Sequence, residues 1–499
     1  MRTALLLLGT FGALALFAGA PALAAHRPGS DTRPPGLTPA QLHAAYELPA
    51  ATSFSSSQTI ALIELGGDPT LESDLAVYDR QYGLPSCTRA NGCLRIIDAE
   101  GGASPLPTDA FRSGEASIDV QEAHAICQNC RILVVEGNPG SSNWIEETGI
   151  EVNTAVADGA TEVTICIELY GDFVEAEELE YLPVANAKYF DHPGVPITVA
   201  SGDCGYDETN DPEHWPFCES GHWHFPSFPA KSPTVVSVGG TSLHEHAGAW
   251  TSEVWAQSGS GCASAFAAPA WQLSVAGWQQ IGCGTRRLNV DVAALASPHT
   301  GPSIYDTTRA GDWNFTGWGV AGGTSVAAPI VAAEFALAGG AHGVAYPAAT
   351  LYAHAGESSA FEDVTRGSNG SCPAGSTICR AAVGYDGPSG LGTPIGLSAF
   401  SLAGAPLDTS GPRISRRPAR GRTLVAHPGR WSNAPTWLGY QWERCNRSGS
   451  GCLPIEGATA QRYRLARSDV GRTIRVMVSA GNAMGFAPPA FTLPSAAVR

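Results

Sequence analysis

Gly322-Gly323-Thr324-Ser325-Val326-Ala327-Ala328-Pro329 sets a serine behind two glycines and ahead of an apolar run that continues as Ile330-Val331-Ala332-Ala333. The run reads as a helix from Ser325 to Ala338 whose first turn carries Pro329, where a helix tolerates proline. Ser325 then stands at the positive end of the helix dipole, in a glycine turn that lets a substrate backbone approach. Such a turn also serves as a plain helix cap, so the serine gains chemical meaning only with partners elsewhere in the chain.

Working outward, residues 36–403 alternate short β-branched runs with helical patterns, the signature of an α/β domain around a mostly parallel sheet. Strands are expected at Thr59–Ile63, Ile132–Val135, Thr161–Ile167, Ile197–Ala200 and Val235–Val238. These are continuous apolar runs, suited to a sheet covered on both faces. Helices are expected at Pro69–Tyr82 and Glu115–Ile126. Composition shifts after Ala405-Pro406, which places a linker at 404–412. Residues 413–499 are basic and strand-like, with Thr473–Val478 alternating at period two. Trp442, Tyr463 and a Cys445–Cys452 pair suggest the core of a small all-β sandwich. This part resembles the immunoglobulin-like modules appended to many secreted enzymes, which implies binding to a cell surface, a polysaccharide or a protein.

Arg2, the apolar stretch Ala4–Phe17 and the small-residue pattern Ala22-Leu23-Ala24 make residues 1–25 a signal peptide, followed by a flexible lead-in at 26–35. No later run approaches the roughly 18 apolar residues of a membrane span. The chain is therefore expected to be secreted, extracellular and monomeric. Thirteen cysteines in an exported chain read as disulfides with one left over. Close spacing pairs Cys87 with Cys93, Cys127 with Cys130, Cys372 with Cys379 and Cys445 with Cys452; Cys204–Cys218 and Cys262–Cys283 are looser pairings. Cys166 remains as a buried free thiol in a strand. A formal net charge of −17 argues against a nucleic-acid partner and for an acidic surface.

The base for Ser325 is not a histidine of the subtilisin kind, because no histidine here precedes Gly-Thr; His124, His192, His222 and His224 lie in other contexts. Zinc is equally unsupported: His222, His224, His244 and His246 have no matching carboxylate or cysteine spacing. Ser113-Gly114-Glu115-Ala116-Ser117-Ile118-Asp119 offers a carboxylate pair four residues apart on one helical face. On an open surface the pair would merely repel. In a cleft it can share a proton, and a carboxylate still ionised in acid can act as a general base where histidine is already protonated. Ser201-Gly202-Asp203 follows the strand ending at Ala200, where open α/β sheets place their sites. Asp203 alone would be a turn residue; kept protonated, it can donate to an oxyanion.

Taken in order, Glu115 and Asp119, Ser-Gly-Asp203 and Gly-Thr-Ser325 resemble the sedolisin family, the serine-carboxyl peptidases, over nearly all of residues 36–403. Val238–Ser242, Phe266 to Gln272 and Val290–Ala293 add to the similarity. The resemblance implies an α/β, subtilisin-like parallel sheet flanked by helices and endopeptidase activity through an acyl-enzyme in acid. By the same resemblance Ser325 is the nucleophile, Glu115 the general base and acid, Asp119 its partner and Asp203 the oxyanion donor. It further implies one structural Ca²⁺ site from Asp363 and Asp386 side chains and the Val364, Ala382 and Gly384 carbonyls, the all-oxygen donor set that calcium prefers. The insert carrying Cys372 and Cys379 lengthens that loop.

Three departures stand out. The similarity starts at Leu37-Thr38-Pro39-Ala40, leaving no room for the usual prodomain after the signal peptide. Glu168-Leu169-Tyr170-Gly171 replaces the Ser-aromatic-Gly of the substrate-edge strand, and Gly322 stands where a serine commonly precedes Gly-Thr-Ser. The first two keep open a second reading, a non-catalytic secreted binding protein on a peptidase scaffold.

Overall fold

The computed structural model describes residues 34–52, 54–102, 113–167, 175–206, 227–308, 315–401, 406, 408–415, 417–432, 435, 437–455, 457–482, 485–486 and 490–499. The leader, Glu168 to Gly171, Cys218, His222 and His224 lie outside them.

The chain runs through α1 (Pro39–Ala45), β1 (Thr59–Leu65), α2 (Leu71–Tyr82), β2 (Leu94–Asp98), α3 (Ser113–Ile126), β3 (Arg131–Gly137), α4 (Trp144–Ala157) and β4 (Glu162–Ile165). It continues through α5 (Glu175–Tyr189), β5 (Ile197–Ala200), β6 (Val236–His246) and β7 (Ala249–Val254). β8 (Cys262–Ala267) and β9 (Arg286–Leu288) pair outside the main sheet, separated by α6 (Ala270–Leu273) and α7 (Trp278–Ile281). β10 (Val292–Leu295), β11 (Ser303–Asp306), β12 (Gly317–Val320) and α8 (Thr324–Ala338) complete the part that frames the site. The central sheet has the order β10-β6-β5-β4-β1-β3-β2, parallel throughout, with β7 returning antiparallel on β6.

Strand β1 shows why the sequence takes this form. Its Ile60 and Leu62 pack into the layer that holds α2, α3 and α8, whereas Ala61 and Ile63 pack into the layer that holds α4 and α5. Period-two side chains on a strand buried on both faces give a continuous apolar run, not an alternating one. α8 is buried along its whole length except at Ser325. Its start faces the carboxyl ends of the strands and its end returns beneath them, where Thr52 donates to the Leu337 carbonyl at 2.8 Å.

Two details differ from expectation. β4 stops at Ile165, so Cys166 lies just beyond the strand. α8 begins at Thr324, which puts Pro329 at its sixth residue, in the second turn. A proline there has no N–H to donate to the residue four back. The Ser325 carbonyl is thus left without an intrahelical partner.

The C-terminal residues form antiparallel sheets. Trp437–Cys445 and Thr473–Asn482 are the centre of one, and Arg413–Ser415, Thr423–His427 and Arg462–Arg464 form another. Leu424, Ala426, Trp442, Ile474, Val476 and Val478 pack between them. Tyr463 stacks on Trp442 at 5.6 Å. Phe54 meets Trp437 at 4.6 Å, joining these sheets to the segment entering β1, at the end of the parallel sheet opposite Ser325. Among the described residues disulfides join Cys87–Cys93, Cys127–Cys130, Cys262–Cys283, Cys372–Cys379 and Cys445–Cys452, and Cys204 is also disulfide-bonded.

Candidate active site

Four chain segments bring their acidic, hydroxyl and thiol groups together at the carboxyl ends of β1, β4 and β5. Glu115 and Asp119 come from the first turns of α3, Cys166 follows β4, Asp203 follows β5, and Ser325 is the second residue of α8. The carboxylates of Glu115 and Asp119 and the Cys166 sulfur lie within 4.8 Å of one another. Both helices direct their positive ends here, which favours negative charge on the groups between them.

Gly323 fixes the entry to α8. Its φ of 106° lies in the region glycine occupies without strain, and its N–H donates to the Ala296 carbonyl at 2.7 Å. A Cβ on it would come within 2.7 Å of Asp203 Oδ2. Asp203 is anchored from the same turn: its Oδ1 accepts the Thr324 N–H and the Thr324 hydroxyl, each at 2.8 Å. The Thr324 hydroxyl accepts in turn from the Gly202 N–H at 3.2 Å. One carboxylate oxygen is thereby held, and the other is turned toward the glycine turn beside Ser325.

The Ser325 hydroxyl donates to the Cys166 carbonyl at 3.4 Å, and the Cys166 thiol donates to the Ser325 carbonyl at 3.4 Å. That second bond reaches the acceptor that Pro329 leaves unused.

Burial raises all the acids here above the ordinary carboxylate range. For Glu115 the cause is loss of water, opposed by the Ser325 hydroxyl and reinforced by the negative charge of Asp203. Asp119 is raised further, by burial and then by Glu115, while the Cys166 thiol and Glu64 draw it down. Asp203 is raised by burial against the two hydrogen bonds from Thr324. One oxygen of Glu115 and one of Glu64 meet no hydrogen-bond donor, and Asp119 is approached by the Cys166 thiol and the Glu64 carboxyl. Buried acceptors in that condition are costly, and a proton held within the cluster supplies the missing donor.

Glu64, near the end of β1, is the residue that sequence reading passed over. It is buried, and its own carboxyl is raised by burial and by the charge of Asp119, to which it hydrogen-bonds when protonated. The available signal was a lone acid in the otherwise apolar strand Thr59-Ile60-Ala61-Leu62-Ile63-Glu64-Leu65.

The residues implied for calcium also meet. The Asp363 carboxylate accepts the Gly384 N–H at 3.0 and 3.1 Å. Buried Asp386 accepts from the Ala382 N–H at 2.9 Å and from the Ser389 hydroxyl at 2.7 Å. Burial pushes Asp386 up to about 7, with the charge of Asp363 adding to it. Two carboxylates from separate segments thus converge on the turn at 382–386, a hard-oxygen donor set that suits a divalent cation. Val364 is buried beside Asp363.

Among proteins of known activity, the chain is 30% identical over 380 residues to kumamolisin of Bacillus sp. (strain MN-32), covering 73% of this chain and 63% of that protein. It is 27% identical over 416 residues to xanthomonalisin of Xanthomonas sp. (strain T-22), covering 75% and 46%. Sedolisin of Pseudomonas sp. (strain 101) matches at 26% over 386 residues, covering 72% and 60%. The chain therefore spans less than two thirds of the length of these relatives. No family model matches it. In fold it resembles the solved structure of Pseudomonas sedolisin, a serine-carboxyl proteinase complexed with two molecules of pseudo-iodotyrostatin, with a TM-score of 0.57 at 24% identity over 72% of this chain and 96% of that one. The chain is thus similar in sequence to peptidases of the sedolisin family and shares the fold of Pseudomonas sedolisin.

Proposed function

We propose that the chain is a secreted serine-carboxyl endopeptidase that hydrolyses peptide bonds through an acyl-enzyme in acid. The supporting observation is the meeting of Glu115, Asp119, Asp203 and Ser325, from three distant segments, at one end of the sheet.

In this reading Glu115 takes the Ser325 proton as the hydroxyl oxygen attacks the substrate carbonyl carbon. Asp119, raised further than Glu115, holds the proton of the acid pair, so Glu115 is the member that ionises first and acts as base. Charge gathering on the substrate oxygen is met by a proton on Asp203 and by the Ser325 N–H, one of the first-turn donors that an α-helix leaves unfilled. Glu115 then returns its proton to the leaving amine, and water releases the acyl group by the same route. Glu64 is a positioning residue, acting through Asp119. Asp363 and Asp386, with the Val364, Ala382 and Gly384 carbonyls, would hold a structural Ca²⁺ that ties two loops together. Residues 36–403 form the peptidase domain and 413–499 an immunoglobulin-like module that tethers the enzyme.

Hydrolysis of a denatured protein between about pH 3 and pH 8, by the mature chain and by Ser325→Ala and Glu115→Ala, tests the proposal. Acid activity lost in both variants supports it. Activity retained in Ser325→Ala, or greatest above neutrality, overturns it.

A further inference from the structure

The charge of the chain is divided with unusual sharpness. Residues 413–499 hold fourteen arginines, no lysine and three carboxylates (Glu443, Glu456 and Asp469), a net charge of +11. The other 412 residues carry −28. Among the described residues of this region, Arg444 and Arg475 are the arginines with a carboxylate partner, Asp469 and Glu443 respectively. Most of the rest are exposed.

Strand register places several of these on one surface. In the sheet of Arg413–Ser415, Thr423–His427 and Arg462–Arg464, Arg413 lies opposite His427, Arg462 opposite Val425 and Arg464 opposite Thr423. Residues opposite each other across an antiparallel pair share a face, as do residues two apart on a strand. Thr423, Val425 and His427 therefore define one face, and Arg413, Arg462 and Arg464 stand on it. The other face carries buried Leu424 and Ala426 and the ring of Tyr463, all in the core. Adjacent strands lie about 4.8 Å apart, so the arginines of the two outer strands stand roughly 10 Å from each other. The basic surface continues around the sheet end, where the Arg420 N–H donates to the Arg499 carbonyl at 2.8 Å and the Val498 N–H to the Arg472 carbonyl at 2.8 Å.

We propose that this outer sheet face docks an anionic polysaccharide, with Arg413, Arg462 and Arg464 clamping its carboxylate or phosphate groups. The proposal names the partner for the tethering role given to this module above and is independent of the catalytic chemistry. Arginine suits the task because its planar fork pairs with both oxygens of such a group and keeps its charge at every working pH. Among the described residues the face carries no Phe, Tyr or Trp for nucleic-acid bases to stack on, His427 being its one ring, and no large exposed apolar side chain to enter a bilayer. It also lacks the apolar centre of a protein interface. Acid strengthens such docking: the repelling carboxylates of the remaining chain lose charge while the arginines do not.

The test is retention of the full mature chain on immobilised polygalacturonate (carboxylate) and on phosphorylated mannan (phosphate), with dextran as the neutral control. Retention on either anionic matrix and not on dextran is expected, stronger at pH 5 than at pH 7 and released by about 0.5 M salt, which shortens the screening length to a few ångströms. The variant Arg413→Ala/Arg462→Ala/Arg464→Ala should bind at least ~10-fold more weakly, with unchanged peptide hydrolysis and melting temperature. The relative strength of the two anionic matrices identifies the group recognised. Equal retention of variant and parent overturns the proposal, as does equal retention on dextran. Tighter binding to duplex DNA or phosphatidylglycerol vesicles than to either matrix also overturns it, as does salt-sensitive self-association abolished by the same variant.

Discussion

Cys166 and Ser325 are joined by reciprocal hydrogen bonds, hydroxyl to carbonyl one way and thiol to carbonyl the other, each at 3.4 Å. The thiol also lies against Glu115 and Asp119. Its one proton serves either the Ser325 carbonyl, the acceptor that Pro329 leaves open, or Asp119, which it then draws down. Cys166→Ala should lower kcat several-fold with little change in KM, because the Ser325 carbonyl loses its donor, and should shift the pH profile, because Asp119 then holds its proton more tightly. Cys166→Ser, which restores a donor, should recover most of the loss. The thiol is buried and burial raises it well above the usual range. Thiol alkylation of the native enzyme should therefore be slow at any pH below neutrality. An unchanged pH profile in Cys166→Ala would leave this residue a packing role only.

The alkaline limb of the pH profile is expected to follow Asp203, which must be protonated to donate. Two hydrogen bonds from Thr324 lower its proton affinity against the effect of burial. Thr324→Val removes one of them, so Asp203 keeps its proton to higher pH and the alkaline limb moves up, by about half to one unit. A limb that stays in place, measured on kcat/KM, would assign it to another group.

How much of this was legible in the sequence depends on range. Ser325, Glu115 and Asp119 sit in local patterns, a glycine turn and a four-residue helical spacing, and such patterns survive in sequence. The strand cores were legible for the same reason: Ile197–Ala200 has the expected bounds. Glu64 was not, because its partner Asp119 is 55 residues away and one acid in an apolar strand has several readings. Pro329 was misplaced by counting rather than by the helix start: even from Ser325 it is the fifth residue, past the roughly 3.6 residues of one turn. The basic face of the C-terminal sheet needed the strand register, which arginine content alone does not supply.

Buried acids away from the site make folding itself pH-dependent. Glu122 is fully buried, neither of its oxygens meets a donor, and burial pushes it up to about 8; Glu162 is likewise pushed up to about 8 by burial, against the Thr161 hydroxyl. With folded values above unfolded ones, the native state holds more protons in between. Their contribution to stability is complete below the ordinary value near 4.5 and is lost as pH rises through about 8. The melting temperature should therefore fall steadily from acid to mildly alkaline pH. Glu122→Gln should be nearly neutral at pH 4 and stabilise by at least about 3 °C at pH 8. A variant with the parent's pH dependence would show that Glu122 does not titrate in this range.

Calcium is expected to act on stability through the Asp363 and Asp386 pair. Without a cation the two carboxylates repel, which contributes to the raised proton affinity of Asp386. An ion between them removes that repulsion and binds the folded state alone. At a hundred times its dissociation constant it stabilises by about 2.7 kcal/mol. Chelation should lower the melting temperature by several degrees, and added Ca²⁺ should restore it in the parent. Asp363→Asn should abolish the response while the fold persists, because Asp363 is exposed and its loss opens no cavity. An Asp363→Asn protein that still responds to Ca²⁺ as the parent does would move the site elsewhere. A parent that does not respond to chelation would remove the case for a structural calcium ion altogether.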